Sequence, residues 1–326
     1  MYKNPPPATP KYIFPPHQPN DNYIYFENCE NHPFLANTEK FQMVNAWWLA
    51  DATLAAYLET LDSCKKAFSA TGLEVEQITQ KNTQCYIAYN PSFVIITFRG
   101  TRLNNLQNLL NDIQLSLNCS LIDFEDNGCV HQGFKNGLIA VWDELYLRLK
   151  ELCEENPQRT FWFTGHSRGG AIATLAAQKT VKTNSSIDVR GVYTFGSLCL
   201  GDQQFKNSYL LAQRTYRFVN NNDLISRLLS IGIYPHAKLG VAKYYYVGNL
   251  KYIASNHQIF EDSNFCDRLA DNFEGSFKHL YEITKHFNFN LNWEDLEIPL
   301  APLSNHAPIY YAIHIWNYYE KHFMKA

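Results

Sequence analysis

The chain has 326 residues, 46% of them hydrophobic and 18% charged, with a formal net charge of −3. This is the balance of a soluble globular protein with enough apolar residues for a sizeable core, in one large domain or two small ones. The slight acidity, with no Lys/Arg cluster, excludes the usual nucleic-acid binders, and no run of about 18 apolar residues is present to cross a bilayer.

Residues 1–37 are rich in Pro and Asn and read as an extended N-terminal arm. Residues 1–20 lack the apolar core of a secretory signal, so the expected location is cytoplasmic, or external by a signal-independent route. A helix is predicted over 46–57. Residues 85–89 and 93–98 read as strands joined at Asn90-Pro91. Leu103, Leu106, Leu110 and Ile113 then recur at helical spacing, giving an apolar face that also suits a core helix. Phe134, Leu138, Trp142, Leu145, Leu149 and Leu152 mark a long amphipathic helix. A short buried strand, 160–164, leads into Gly165-His166-Ser167-Arg168-Gly169 and a small-residue helix. Strands follow at 189–195 and 216–220. Residues 244–253 read as a hairpin turning at Gly248-Asn249, and the aromatic-rich segment 309–322 reads as the last helix. Alternating strands and helices predict a mostly parallel sheet covered on both faces. The eight cysteines form no C-x-x-C pair, so free thiols are expected and a zinc site is not.

The G-x-S-x-G between strand and small-residue helix carries the chemistry. A turn this tight holds Ser167 in a strained conformation, pushes its hydroxyl outward, and aims a helix N-terminus at whatever the hydroxyl attacks. A serine hydroxyl is a weak nucleophile at neutral pH, so it needs a base, and the base needs an orienting carboxylate. In chain order the acid comes next. Asp223, just past the 216–220 strand, is the first candidate, although an Asp there can equally cap a helix; Asp202 is the rival. Seven histidines follow Asp223: His236, His257, His279, His286, His306, His314 and His322. His306, in a loop entering the last helix, leads modestly, and His236 and His257 come second. An oxyanion would be met by the backbone N–H of Arg168 and by Thr101, at the end of the 93–98 strand.

Several stretches together resemble the class 3 lipases of the α/β-hydrolase superfamily. They are Phe98-Arg99-Gly100-Thr101, Val130-His131-Gln132-Gly133-Phe134, the elbow at 165–170, Thr194-Phe195-Gly196-Ser197 through Gly201-Asp202, and Asn221-Asn222-Asp223. His306 with Tyr310 is similar to the family's terminal histidine motif. The resemblance implies an α/β-hydrolase fold over 38–326, with a lid at about 102–129. It implies Ser167 as nucleophile, Asp223 as acid and His306 as base, with Thr101 and Arg168 as the oxyanion hole and Asp202 structural. It implies hydrolysis of lipid acyl esters through an acyl-serine, phospholipase A-like chemistry included, with no cofactor or metal and with peripheral contact to a lipid surface. A non-catalytic binding protein on the same fold and an acyltransferase using the same triad are the alternatives. The chain departs from the family pattern at Arg168, where an apolar residue is usual, and in the long segment 230–304. A guanidinium beside the nucleophile would suit an anionic head group, or would pair structurally with a nearby carboxylate.

Overall fold

The computed structural model describes residues 3–4, 23–101, 121–125, 128–221, 223, 225–227, 234–236, 239–261 and 304–324. Helix α1 (Met43–Ala55) and the short α2 (Leu61–Ala67) precede strands β1 (Glu74–Gln80), β2 (Thr83–Tyr89) and β3 (Phe93–Phe98). Strands β4 (Leu121–Asp123) and β5 (Cys129–His131) lead to α3 (Gln132–Glu155), β6 (Thr160–His166), α4 (Arg168–Thr183) and β7 (Asp188–Phe195). Then come α5 (Gln203–Ser208), β8 (Thr215–Asn220), β9 (Tyr234–His236), β10 (Gly240–Ala242), β11 (Asn249–Ile253), β12 (Ile259–Phe260) and α6 (Pro308–Phe323).

Eight strands form the main sheet in the order β1-β2-β3-β6-β7-β8-β11-β12. The five strands β3, β6, β7, β8 and β11 run parallel, and the antiparallel pairings lie at the two edges. All seven residues of β6 are buried, as a central parallel strand requires when both faces are covered. Its neighbours show how. Thr164 bonds Thr53 of α1, whereas a Cβ on Gly165 would lie 2.5 Å from Gly169 of α4. Successive strand residues point to opposite faces, so α1 and α4 cover opposite sides. Helix α6 packs on α1, and α3 packs on α4. The fold is the α/β-hydrolase type expected, a mostly parallel sheet with helices on both faces.

Two details depart from the sequence reading. Residues 244–253 do not make a hairpin: β11 pairs in parallel with β8 and turns back only at β12. Alternation marks a strand but not its partner, and the next free edge of the growing sheet was β8. The described residues 23–37 are not an extended arm but run through turns, burying Phe26, Cys29 and Phe34 in the core. The lid segment's Leu103, Leu106, Leu110 and Ile113 lie outside the described residues; at its far end β4 and β5 pair in a second, four-stranded sheet, β10-β9-β4-β5. The six described cysteines are buried free thiols. Among the described residues, no helix is long and apolar enough to cross a membrane.

Candidate active site

Parallel register brings the chemistry to one end of the sheet. Strand β6 ends at His166 and α4 begins at Arg168, so Ser167 alone makes the turn, with φ +56° and ψ −128°. A non-glycine residue there costs on the order of 1–3 kcal/mol, stored by the packing around it. The helix can start so abruptly because a Cβ on Gly169 would lie 2.1 Å from the Phe98 carbonyl oxygen. Glycine therefore lets α4 close onto β3, and Ser167 projects from the elbow.

Asp223 follows the end of β8, and His306 lies in the loop before α6. Ser167 Oγ is 2.8 Å from His306 Nε2. His306 Nδ1 is 2.9 Å from Asp223 Oδ2 and 3.0 Å from Oδ1. Both the imidazole and the carboxylate are fully buried, while Ser167 keeps slight exposure. A carboxylate accepts only, so Nδ1 carries the proton, and Nε2 is left to accept from the serine hydroxyl. The structure thus brings together the three residues named from sequence, and Asp223 rather than Asp202 faces the imidazole. Asp202 caps α5 by accepting from Phe205 N at 2.7 Å. His257 and His314 stack on each other, with centroids 4.4 Å apart. The side chains of His236, His279 and His286 lie outside the described residues.

Further groups hold the acid and the histidine loop. Asp223 Oδ1 accepts from Ser226 N at 3.1 Å, and Oδ2 accepts from the Tyr311 hydroxyl. Burial, and then the Asp223 charge, push the Tyr311 phenol well above its ordinary pKa, so it stays a donor. Its oxygen in turn accepts from Asn220 N at 3.0 Å. The Asn220 side chain donates to the Asn305 carbonyl at 3.0 Å. Sequence reasoning missed Tyr311. It singled out Tyr310, and nothing local tells which of two adjacent tyrosines turns toward a carboxylate 88 residues away.

Phe98 and Gly165 are register partners, so the chain after β3 emerges beside the elbow. A Cβ on Gly100 would lie 3.4 Å from Ser167 Cβ, and half-buried Thr101 comes next. Arg168 opens α4, where backbone N–H groups point out along the helix axis. Its guanidinium reaches the β1–β2 turn, donating to Asn82 O at 3.2 Å and Thr83 Oγ1 at 3.4 Å.

Residues 95–232 match the profile of the family described as lipase (class 3). The secreted mono- and diacylglycerol lipase A of Penicillium cyclopium is 32% identical over 196 residues, 53% of this chain and 59% of that protein. The secreted mono- and diacylglycerol lipase 1 of Fusarium solani is 31% identical over 144 residues, 41% of this chain and 39% of that protein. The chain thus spans about three fifths or less of the length of these relatives. Among solved structures, a triacylglycerol lipase whose catalytic centre is formed by a serine protease triad superposes with a TM-score of 0.53 at 22% identity, over 66% of this chain and 81% of that one. The Rhizomucor miehei triacylglyceride lipase gives 0.52 at 20% identity, over 66% and 82%. At such identities the likeness bears on the fold.

Proposed function

We propose, from the premise that this chain belongs through residues 95–232 to the class 3 lipase family, that it is a serine carboxylic-ester hydrolase acting on lipid acyl esters. One observation carries the reading: Ser167 Oγ, His306 and Asp223 stand in line at 2.8 and 2.9 Å, with the serine on a strained elbow. His306 Nε2 takes the Ser167 proton as Oγ attacks the ester carbonyl. Asp223 holds the Nδ1 proton and stabilises the imidazolium that forms. The oxyanion is met by the N–H groups of Arg168 and Thr101. Collapse expels the alcohol, which takes the proton from His306, and water activated by the same imidazole releases the fatty acid.

The test is release of p-nitrophenol from esters of graded chain length. Ser167→Ala should lower kcat by about a thousandfold or more. A fluorophosphonate should add once to the wild type and not to Ser167→Ala. Equal labelling of the two proteins removes Ser167 from the role.

The catalytic unit is proposed to span 38–326 together with residues 23–37, which bury Phe26, Cys29 and Phe34 in its core, with a lid at about 102–129 whose apolar face opens against lipid. Burial of that face would recover about 25 cal/mol per Å², so turnover should rise when a substrate passes from monomers to micelles. Equal turnover on both sides of the critical micelle concentration argues against a lipid-surface contact.

A further inference from the structure

Behind the elbow lies a second histidine that the proton-transfer line does not use. His166 is the last residue of β6 and is buried, and so is Tyr57, which follows α1. His166 Nε2 is 2.5 Å from the main-chain carbonyl oxygen of His306. His166 Nδ1 is 2.7 Å from the Tyr57 hydroxyl. Gly100 packs against the Tyr57 hydroxyl, where a Cβ would stand only 2.3 Å from its oxygen.

The acceptors settle where the protons are. A carbonyl oxygen only accepts, so His166 Nε2 carries a proton and donates to His306 O. In the neutral ring Nδ1 is then bare and accepts from the Tyr57 hydroxyl. The result is one directed chain, Tyr57 O–H to His166 and His166 N–H to the backbone of His306, with Gly100 packed on the Tyr57 oxygen. It joins three separate segments: the loop after β3 that leads to Thr101, the elbow, and the loop that carries the base. Serine-to-imidazole transfer and oxyanion binding need the same atoms held within tenths of an ångström, and this chain runs between the two groups that must be held.

We infer that His166 and Tyr57 are positioning residues for ester hydrolysis, fixing His306 through its main-chain carbonyl and setting the Gly100–Thr101 loop against the elbow. The inference rests on His306 being the base. Its consequence is directional. Losing the bond to His306 O should slow proton transfer and leave substrate binding alone, so kcat falls and KM holds.

The test uses p-nitrophenyl butyrate and the full chain. A glutamine amide nitrogen reaches about the position of Nε2, and an asparagine amide about that of Nδ1. His166→Gln therefore keeps the donor to His306 O, and His166→Asn loses it. With a hydrogen bond to a buried group at stake, His166→Asn is expected to have a kcat about tenfold or more below that of His166→Gln, with both KM values within about twofold of wild type. Equal kcat values for the two variants, or a loss that appears in KM, overturn the inference. If His166→Asn yields no folded protein by circular dichroism, Tyr57→Phe carries the test: kcat should fall about threefold to tenfold at constant KM, and an unchanged kcat overturns it. His306→Ala is measured alongside. If it is inactive, the reading of the site stands whatever the His166 and Tyr57 variants do. If it keeps wild-type turnover, that reading fails and the positioning role falls with it.

Discussion

Asp223 is held from three sides, by His306 Nδ1, Ser226 N and the Tyr311 hydroxyl. Tyr311→Phe removes one donor and also leaves the buried Asn220 N–H without its acceptor. An orphaned buried polar group costs about 1–3 kcal/mol, so the urea midpoint should fall accordingly, and kcat by about tenfold at constant KM. A variant with unchanged kcat would make Tyr311 a packing residue only. Arg168 makes the opposite case. Its guanidinium is engaged by the β1–β2 turn, so Arg168→Leu should leave the ratio of phosphatidylglycerol to tributyrin hydrolysis unchanged; a shifted ratio would return the cation to head-group choice. Ser167 was legible in the chain because its signature is local: five residues, a strand before and a helix after. His166 and Tyr57 lie 140 and 109 residues from their partners, and no local pattern encodes such a meeting.

Among the elements, α6 makes two tertiary contacts that its own sequence does not announce. Its first turn brings Tyr311 to Asp223, and its middle buries His314 against His257. Helical spacing showed that the segment is a helix, but not that a histidine in it would be packed away from water. Burial first, and then the His257 ring, lower the His314 pKa from 6.5 to about 4. The fold therefore holds this ring neutral, while the unfolded chain protonates it near its ordinary value. Its contribution is fully present above about pH 7 and is lost as pH falls from about 6.5 toward 4, by up to about 3 kcal/mol. Urea unfolding of wild type and His314→Gln at pH 7.5 and pH 4.5 reads this directly. The wild type should lose more stability than the variant over that range, and identical losses would mean that the ring is hydrated in the fold. Strand β11 was legible as a strand but not in its pairing, since a Gly-Asn pair suits a hairpin turn as well as the entry to a parallel strand.

At the scale of the whole molecule, the α/β alternation was legible because each element has its own period, whereas the role of the N-terminal residues was not. Pro and Asn content suggests an arm, yet three buried side chains among 23–37 belong to the core. Further upstream, Lys3 clasps the last helix. Its N–H donates to Asn317 Oδ1 and its carbonyl accepts from Asn317 Nδ2, both at 2.8 Å. Its ammonium lies over the rings of Tyr23 and Trp316, at 4.3 and 4.4 Å. Tyr23 bonds Asp51 in α1, so the clasp ties α6 to α1 at a point nine residues beyond the first residue of α6, about 13 Å along its axis. His306 is held by nearer contacts at the other end, from Asp223 and from Asn220 through Asn305. Stability and catalytic geometry should therefore separate. Asn317→Ala removes two part-buried hydrogen bonds and is expected to cost about 1–2 kcal/mol in urea unfolding, with kcat on p-nitrophenyl butyrate within about twofold of wild type, as for sites far apart that share no partners. A kcat that falls tenfold in a variant still folded at the assay temperature would mean that the clasp transmits position along α6 to His306, and that the sheet end does not hold the triad by itself.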